Sequence, residues 1–432
     1  MKISREYFEL ENLVDIIIDN RGKTVPTSSS GIPLIATNCI KQSSIYPTFE
    51  NIRYITKEIY DNWFRAHLKP NDILFVNKGT PGRTCIVPDP VTFVAAQDMV
   101  GLRFKKELNP YYMLAVLRSK EIQNTVQNNY VGIVIPHFRK QELLKLKLPV
   151  IQKSIQDFIG NLYYVLSKKI ELNNQINDNL EQMAKTLYDY WFVQFDFPDE
   201  NGKPYKSSGG RMVWNEVLKR EIPEGWEVNT LGDFILRDKS GDWGKEQIEG
   251  NYTTKVECIR GADINGIFRG GELKTPVRFI LEKNENKILL PYDLVIEISG
   301  GSPTQSTGRL AYITKEVIDR FENPLICSNF CKAVSLNELD SFFYFIYSWN
   351  KAYDNSVLFG FEGKTSGIKN LLFESLVSTY KIVKPSKLIL ENFQNKVSLF
   401  ESKRQINLKQ NQQLSSLRDW LLPMLMNGQV KV

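Results

Sequence analysis

The stretch that decides the architecture is LKPNDIL at residues 68–74, because a stretch of the same design, LLPYDLV, stands at residues 289–295. Two further pairs of segments follow the same order, namely IPLI at 32–35 with VECI at 256–259, and GRTCIV at 82–87 with GRLAYI at 308–313. A Pro-x-Asp turn before a strand is common by itself, but a series of matched blocks in one order is not. The chain is therefore predicted to be an internal repeat of about half its length.

Each repeat has two parts with different sequence patterns. The first part consists of short β-branched and aromatic runs broken by Gly, Pro, Asn and Ser, which predicts a mixed domain of strands and loops. The second part is helical, because apolar residues recur at spacings of four and three between Ile155 and Tyr190, and again after Phe393. Asn173 of the first seam is equivalent to Asn407 of the second, so both helices carry polar residues at their middle. Two long antiparallel helices that hold the domains apart are expected; packing of each helix on its own domain is the alternative.

The predicted fold class is α+β, with two mixed α/β domains in pseudo-symmetric repeat, separated by two long antiparallel coiled-coil helices. The predicted segments are a first domain at 1–150, a first helix at 151–192, a central linker loop at 193–226, a second domain at 227–385, and a second helix with a C-terminal tail at 386–432.

Size and composition are those of a globular protein. The chain has 432 residues, 42% hydrophobic and 24% charged, which suits two domains and connecting helices. No apolar run reaches the roughly 18–20 residues of a membrane span, and no signal peptide is visible. Five cysteines, an odd number, favour reduced thiols in a cytosol. The net charge of +6 alone is weak support for a nucleic-acid partner.

Two regions carry a resemblance to a known family. The aromatic-rich region 180–226 is similar to the central region of specificity subunits of type I restriction-modification systems, and IPEGWEV at 222–228 is similar to the phrase that opens their second recognition domain. RGKT at 21–24, followed by GIPLI at 31–35, resembles the start of one class of their first recognition domains. In architecture the resemblance covers the whole chain. Distinctive sequence motifs of the family are found in these two regions.

The resemblance implies a cytoplasmic, non-catalytic subunit that binds double-stranded DNA. It also implies two DNA methyltransferase (modification) subunits as partners and, through them, two ATP-driven restriction subunits that act as motor and nuclease. Each recognition domain would read one half of a split target, and the helices would set the gap between the halves. No cofactor is implied for this chain; S-adenosylmethionine, ATP and Mg are implied for the partner subunits. The alternatives are a scaffold whose repeated domains bind proteins or glycans, and a fused methyltransferase.

Sequence motifs of enzymes and metal sites are incomplete, so no catalytic and no metal-ligating residue is predicted. The stretch NPYY at 109–112 lacks the second proline of an adenine methyltransferase loop and is interpreted as a helix start. GKT at 22–24 and at 363–365 lacks the first glycine of a phosphate-binding loop. The pair Cys327 and Cys331 has no second ligand pair, which makes zinc improbable.

Basic residues on loops rich in Gly, Ser and Pro are the candidate DNA contacts. They are Arg21, Lys23, Lys78, Arg83 and Arg139 in the first domain, and Lys245, Arg260, Arg309, Lys364 and Lys369 in the second. The repeat makes Arg83 equivalent to Arg309, which predicts one shared role. That role is either a DNA contact or a structural ion pair, and the sequence leaves both open.

Overall fold

The computed structural model describes residues 5–19, 23–132, 134–269, 273–300, 304–365, 368–427 and 429. The chain divides into two compact units, unit 1 (Met1–Asn173 with Gln410–Val432) and unit 2 (Asn174–Lys409). Two long helices, α5 and α10, each contribute one part to both units, and they lie inside the predicted helical segments at 151–192 and 386–432. The mixed helix-and-sheet architecture with two long helices is as predicted.

Unit 1 contains a four-stranded sheet in the order β2-β8-β5-β6, a three-stranded sheet in the order β4-β3-β7, and the pair β1-β9. The strands are β1 Glu6–Glu9, β2 Val14–Asp19, β3 Ile32–Ile35, β4 Arg53–Ile55, β5 Ile73–Val76, β6 Thr84–Ile86, β7 Val94–Ala95, β8 Met99–Phe104 and β9 Lys147–Val150. The helices are α1 Lys57–Trp63, α2 Pro110–Arg118, α3 Lys120–Asn129, α4 Lys140–Leu144 and α5 Lys153–Tyr188.

Unit 2 repeats this plan with the sheet orders β13-β20-β16-β18 and β15-β14-β19 and the pair β12-β23, and adds the pair β10-β11 and the sheet β17-β22-β21. The strands are β10 Met212–Asn215, β11 Arg220–Pro223, β12 Glu227–Thr230, β13 Ile235–Ser240, β14 Tyr252–Ile259, β15 Val277–Leu281, β16 Leu294–Glu297, β17 Ser299–Gly300, β18 Leu310–Tyr312, β19 Leu325–Cys327, β20 Cys331–Leu336, β21 Glu362–Thr365, β22 Ile368–Leu371 and β23 Lys381–Lys384. The helices are α6 Ile264–Arg269, α7 Lys315–Ile318, α8 Phe342–Asp354, α9 Phe373–Thr379 and α10 Lys387–Met426.

The predicted repeat is present in the backbone. The stretch at 68–74 leads into β5 and the stretch at 289–295 into β16, and all residues of both strands are buried, as expected for strands covered on both faces. In the three-stranded sheets, the middle strand β3 runs parallel to β7, and the middle strand β14 runs parallel to β19. The same strand order and the same parallel pair in both units show that the two halves share one topology.

The helix start predicted at residues 109–112 is confirmed. The side chain of Asn109 accepts hydrogen bonds from the backbone of Tyr111 and Tyr112, and Pro110 opens helix α2. An Asn cap satisfies amides that have no partner within the helix, and a proline in the first turn loses no hydrogen bond. This stretch is therefore a helix terminus rather than part of a catalytic loop.

The predicted central linker at 193–226 packs into the core of unit 2. Helix α5 is continued by a π-helical turn, Asp189–Val193, and β10 pairs with β11 to form a hairpin. Trp191 and Phe192 are buried against aromatic residues of α8 and α10. Trp226 is buried against Phe192, Phe195 and Phe197. The aromatic density of this region is thus explained by core packing.

The helices α5 and α10 are antiparallel, as contacts within each unit show. In unit 1 the guanidinium of Arg418 lies 5.7 Å from the ring of Tyr163. In unit 2 Arg404 donates a hydrogen bond of 2.8 Å to Glu181. Within unit 1, Tyr163 contacts Arg418 and Asn173 contacts Gln410; within unit 2, Asn177 contacts Asn407 and Glu181 contacts Arg404. In each unit the partner on α10 moves back along the chain as the position on α5 moves forward, as in an antiparallel pair. None of the described helices is long and apolar enough to cross a membrane.

Candidate nucleic-acid interface

Each unit has a glycine-rich loop directly after its central strand, which is β5 in unit 1 and β16 in unit 2. Loop 1 (residues 77–83) joins β5 to β6, and loop 2 (residues 298–309, of which 301–303 lie outside the described residues) joins β16 to β18. Val76 donates a backbone hydrogen bond of 2.9 Å to the carbonyl of Arg83, and Glu297 donates one of 2.9 Å to the carbonyl of Arg309. Arg83 and Arg309 therefore occupy the same position in the two frames.

A tight turn before the central strand is also shared. Asn71 and Tyr292 both have φ 71°. The carboxylate of Asp72 accepts a hydrogen bond of 2.7 Å from the backbone of Lys69, and Asp293 accepts one of 2.9 Å at the equivalent position. The left-handed residue and the Asp together make the turn that starts each strand at one fixed place.

In unit 1, loop 1 is joined to a second segment, residues 130–138 (of which 133 lies outside the described residues), which we call hairpin 1. Gly79 donates a backbone hydrogen bond of 2.9 Å to Pro136, and Phe138 donates one of 2.8 Å to Asn77. Lys78 forms an isolated β-bridge with His137. The structure thus brings two candidate DNA contacts, Lys78 and Arg139, into one cluster of backbone segments.

Unit 2 has the equivalent pair of segments. Strand β17 of loop 2 pairs with β22 of hairpin 2 (β21 and β22, with the turn at 366–367 outside the described residues). Leu371 donates a backbone hydrogen bond of 2.8 Å to Ile298, as Phe138 does to Asn77 in unit 1. Each unit therefore presents one loop and one hairpin side by side. The basic residues of each loop and hairpin could be identified from the sequence, whereas the hydrogen bonding of the loop to the hairpin could not.

Arg309 is held inside unit 2 by an acidic partner. Its Nη2 and Nε lie 2.6 and 2.9 Å from the carboxylate of Glu297, a side chain that is 3% exposed. The hydrogen bond to Glu297 raises the pKa of the Arg309 guanidinium above its already high value. A bidentate pair of this kind fixes the guanidinium in the plane of the carboxylate.

A second ion pair lies beside the first. Arg260 donates hydrogen bonds of 2.8 and 3.0 Å to the buried carboxylate of Asp263. Gly261 lies between the pairs, and a Cβ atom there would come within 2.5 Å of Glu297 Oε1. The glycine is therefore needed for the Glu297 carboxylate to reach its position.

Unit 1 has no counterpart of this ionic cluster among its described residues. In the frame defined by the strands and 3₁₀ turns, Asp263 corresponds to Cys39, Gly261 to Thr37 and Glu297 to Val76. The acids of unit 2 are thus replaced by a buried thiol and a buried apolar side chain. Equivalent arginines consequently stand in different electrostatic surroundings.

Two further basic residues of unit 2 also have acidic neighbours. Lys369 lies 3.1 Å from Glu362, whose side chain is 8% exposed and also accepts a hydrogen bond of 2.8 Å from the backbone of Thr307. Lys245 forms an exposed ion pair of 3.3 Å with Glu249 and an isolated β-bridge with Phe279 of the edge strand β15. The side chain of Lys364 lies outside the described residues.

The basic residues of unit 1 differ from those of unit 2. Lys23, Lys78 and Arg139 are exposed and Arg83 is half-buried. None of these four forms an ion pair with another residue that the structure describes. Arg21 lies outside the described residues. Unit 1 therefore offers unpaired positive charge, whereas unit 2 uses most of its candidate cations in its own ion pairs.

Buried polar atoms also gather near loop 1. Asn77 Oδ1, Thr80 Oγ and Gln97 Oε1 are buried and have no hydrogen-bond partner within the described part of the chain. Unsatisfied buried polar groups are rare in native proteins and often mark functional positions. Nothing in the spacing of these residues along the sequence indicates that they lie together.

The cysteines offer no reactive thiol. All five are free and buried, and burial raises the pKa of Cys85 and Cys258 to about 12. Thiols with so high a pKa stay protonated and are poor nucleophiles and metal ligands. No group of residues with the composition of a metal site occurs in the described ranges.

The helix pair carries buried amides at its middle. In unit 1 the Asn173 amide donates hydrogen bonds of 2.8 Å to Gln410 and to Asn411. In unit 2 Asn407 donates one of 2.9 Å to Asn177. The prediction of polar residues at the centre of both seams is confirmed, and the contacts are to residues other than the repeat equivalents.

Both long helices also expose apolar side chains. Phe158, Val165 and Leu172 recur every seven residues on α5 and are 46%, 59% and 43% exposed. On α10, Leu399 and Ile406 are 72% and 53% exposed. A seven-residue spacing keeps side chains on one face of a helix. We call Phe158, Val165 and Leu172 the apolar stripe of α5, and Leu399 and Ile406 the apolar stripe of α10; such faces are typical of protein-binding surfaces.

Comparisons with known proteins agree on one family. Residues 4–182 match the family described as the type I restriction modification DNA specificity domain. The type I restriction enzyme MjaIX specificity subunit of Methanocaldococcus jannaschii is 23% identical over 372 residues, which cover 83% of this chain and 78% of that protein. The HindI specificity subunit of Haemophilus influenzae is 25% identical over 335 residues, covering 68% and 71%.

A solved structure shows the same fold. The crystal structure of a type I restriction-modification S subunit from M. genitalium superposes with a TM-score of 0.55 and covers 98% of this chain and 96% of that one, at 17% sequence identity. At this identity the similarity concerns the fold alone.

Proposed function

We propose that this chain is a specificity subunit of a type I restriction-modification system and that each of its two units reads one half of a split target in double-stranded DNA. The matches to the family and to two of its members support this. Members of this family are the non-catalytic subunits of these systems, so the role is recognition rather than chemistry. The observation that carries the proposal is the pairing of a glycine-rich loop with a hairpin at equivalent positions of both units. Two such surfaces in one chain suit a target with two halves.

The surface of unit 1 has the chemistry that duplex DNA requires. Unpaired lysine and arginine side chains attract phosphates, and an arginine whose guanidinium is not engaged can donate two hydrogen bonds to a guanine edge. Lys78 and Arg139 lie on adjacent backbone segments, and Arg83 ends the same loop. We assign Lys78 and Arg139 to phosphates and Arg83 to a base edge.

In unit 2 a different set of groups carries the recognition. Because Arg309 and Lys369 are engaged by Glu297 and Glu362, we assign them the role of fixing loop 2 and hairpin 2. We assign the DNA contacts of unit 2 to the exposed amide of Gln305 in loop 2 and to the basic Lys364 of hairpin 2. Sequence-specific contacts by uncharged amides and hydroxyls are common in protein–DNA interfaces.

The long helices are the proposed docking site for two DNA methyltransferase subunits, which would in turn hold two restriction subunits. The apolar stripes of α5 and α10 support this, because each leaves large apolar side chains in contact with solvent. We further propose that S-adenosylmethionine, ATP and Mg act in those partner subunits and that the complex works in the cytoplasm, where the cellular DNA is.

Recognition can be tested with the full-length chain purified together with a methyltransferase subunit. Methylated sites mapped in cells that express the pair would give the two half-sites. Binding is then measured on duplexes in which one half-site or the other is scrambled. We expect a large loss with either duplex and a further loss when both halves are scrambled. Equal affinity for all four duplexes would contradict the proposal and favour a non-DNA scaffold.

A further inference from the structure

Hairpin 1 exposes a group of apolar side chains. Val134 is 92% exposed and Ile135 is 55% exposed, and Tyr130 and Val131 at its base are 41% and 42% exposed. Single exposed apolar residues are normal on protein surfaces, but several on one projecting segment mark a contact surface.

The hairpin that presents them is held by main-chain hydrogen bonds. Val131 and His137 exchange two bonds of 2.9 and 2.8 Å, and Gly79 and Asn77 of loop 1 bind the second arm. Gly132 has φ +94°, and a Cβ atom there would lie 2.7 Å from the carbonyl of Ile135. The turn thus requires glycine, and it fixes the direction of the backbone that carries Val134 and Ile135.

The surroundings of this tip are basic. Lys78 is the β-bridge partner of His137, and Arg139 follows two residues later. Both cations are exposed and form no ion pair with the residues that the structure describes. An apolar tip flanked by unpaired positive charge matches a polyanion that also offers apolar groups, and duplex DNA has this combination in its major groove.

We propose that Val134 and Ile135 read a thymine in the first half-site by packing against its 5-methyl group. The inference rests on the proposed function, since it assumes that unit 1 reads DNA. The major groove is about 12 Å wide and admits a two-stranded ribbon, and the thymine methyl is the one apolar group that base edges present there. The turn of hairpin 2 has the sequence TSGI at residues 365–368, with one exposed apolar side chain, Ile368, instead of an adjacent pair, and we therefore assign this contact to unit 1.

The experiment uses uracil, which lacks only the methyl group. Duplexes are made in which each thymine of either strand of the mapped target is replaced by uracil, one at a time. Binding is measured with the full-length chain in its complex with the methyltransferase subunit. One or two replacements in a single half-site should weaken binding about fourfold each, the equivalent of ~0.8 kcal/mol for one buried methyl-sized group.

The variant Val134→Ser with Ile135→Ser tests whether the tip makes the contact. It should bind the thymine target as weakly as wild type binds the uracil duplex, and it should no longer distinguish the two. The matched control, Val134→Ile with Ile135→Val, keeps the apolar surface and should keep the uracil effect. Because both side chains are exposed, thermal unfolding of these variants should equal that of the wild type.

Three outcomes would overturn the inference and leave the proposed function standing. They are an absence of any uracil effect, a uracil effect that survives the double serine variant, and a double variant that loses the methyltransferase subunit but not DNA affinity. The last result would mean that the tip binds a partner protein. A complex that binds no sequence specifically would instead contradict the proposed function itself.

Discussion

Arg83 and Arg309 stand at equivalent positions, yet we expect the removal of Arg309 to lower stability and the removal of Arg83 to lower DNA affinity. Arg309→Ala leaves the Glu297 carboxylate, which is 3% exposed, without its guanidinium. Breaking a buried ion pair from one side costs about 3–5 kcal/mol, because the remaining charge stays desolvated. For a unit of this size about 1 kcal/mol shifts the melting temperature by about 2–4 °C, so the expected decrease is roughly 6–20 °C.

Arg83→Ala should leave stability within about 0.5 kcal/mol, since the guanidinium has no partner among the described residues. Its effect should instead be on DNA. A lost base contact typically costs about 1–3 kcal/mol, which is about 5- to 150-fold in affinity, and only for duplexes that contain the first half-site intact.

The assay combines thermal unfolding of the full-length chain with hydrogen exchange at β6 and β18, which assigns any loss to one unit. Glu297→Leu with Arg309→Met is the matched control. It removes both charges at similar volume and should recover most of the lost stability. The reasoning would be refuted if the melting temperature of Arg309→Ala lay within about 2–3 °C of wild type, since a decrease of at least roughly 6 °C is expected. Equal decreases in melting temperature for Arg83→Ala and Arg309→Ala would also refute it.

Three further predictions concern the helices and the central region. Leu399→Ser, at a 72% exposed position, should weaken association with the methyltransferase subunit about 10-fold or more, whereas Leu236→Ser, at a 63% exposed position on β13, should not. Asn173→Leu, which removes two hydrogen bonds, should lower the free energy of unfolding by about 1–3 kcal/mol in urea titrations. Hydrogen bonds from Ser207 lower the pKa of Asp196 below 3.8. The Asp196 carboxylate therefore stabilises the fold at pH values above the pKa that it has in the unfolded chain. This stabilisation is lost as the pH falls through the lower pKa that it has in the folded chain, so Asp196→Asn should flatten the acid limb of a stability–pH curve.

The repeat could be predicted because its blocks carry backbone requirements. A proline, a residue with positive φ and an Asp that caps the turn must stand in this order before the central strand. Asn71 and Tyr292 share the φ of 71° although their side chains differ, so the turn survives sequence change. Patterns of this kind are local and can be recognised without knowing the fold.

The partners of the basic residues could not be predicted in the same way. Glu297 is the last residue of β16 and Arg309 directly precedes β18, so their contact follows from the antiparallel pairing of these two strands. One signal was present in the aligned repeats, where Glu297 replaces the apolar Val76 at the end of a buried strand. A buried acid opposite an arginine favours the structural ion pair in unit 2, whereas the equivalent position of unit 1 is occupied by the apolar Val76.

The register of the helices is a further limit of sequence patterns. Aligning the repeats equates Asn173 with Asn407, but Asn173 contacts Gln410 and Asn411, and Asn407 contacts Asn177. Aligning two repeats shows which residues occupy corresponding positions in the chain. Which residues touch in an antiparallel helix pair depends instead on the axial offset between the two helices. The heptad pattern repeats every seven residues and is compatible with several such registers.

The two units share a backbone frame but differ in the charges that it carries. The shared frame fixes where each loop and hairpin lies, and the charges on that frame differ, because Glu297 and Glu362 engage arginine and lysine only in unit 2. Unpaired cations contribute affinity that falls with salt, while uncharged amides and hydroxyls contribute contacts that depend little on salt. We infer that the first half-site contributes most of the salt-dependent affinity and that the second contributes recognition through geometry held by internal ion pairs.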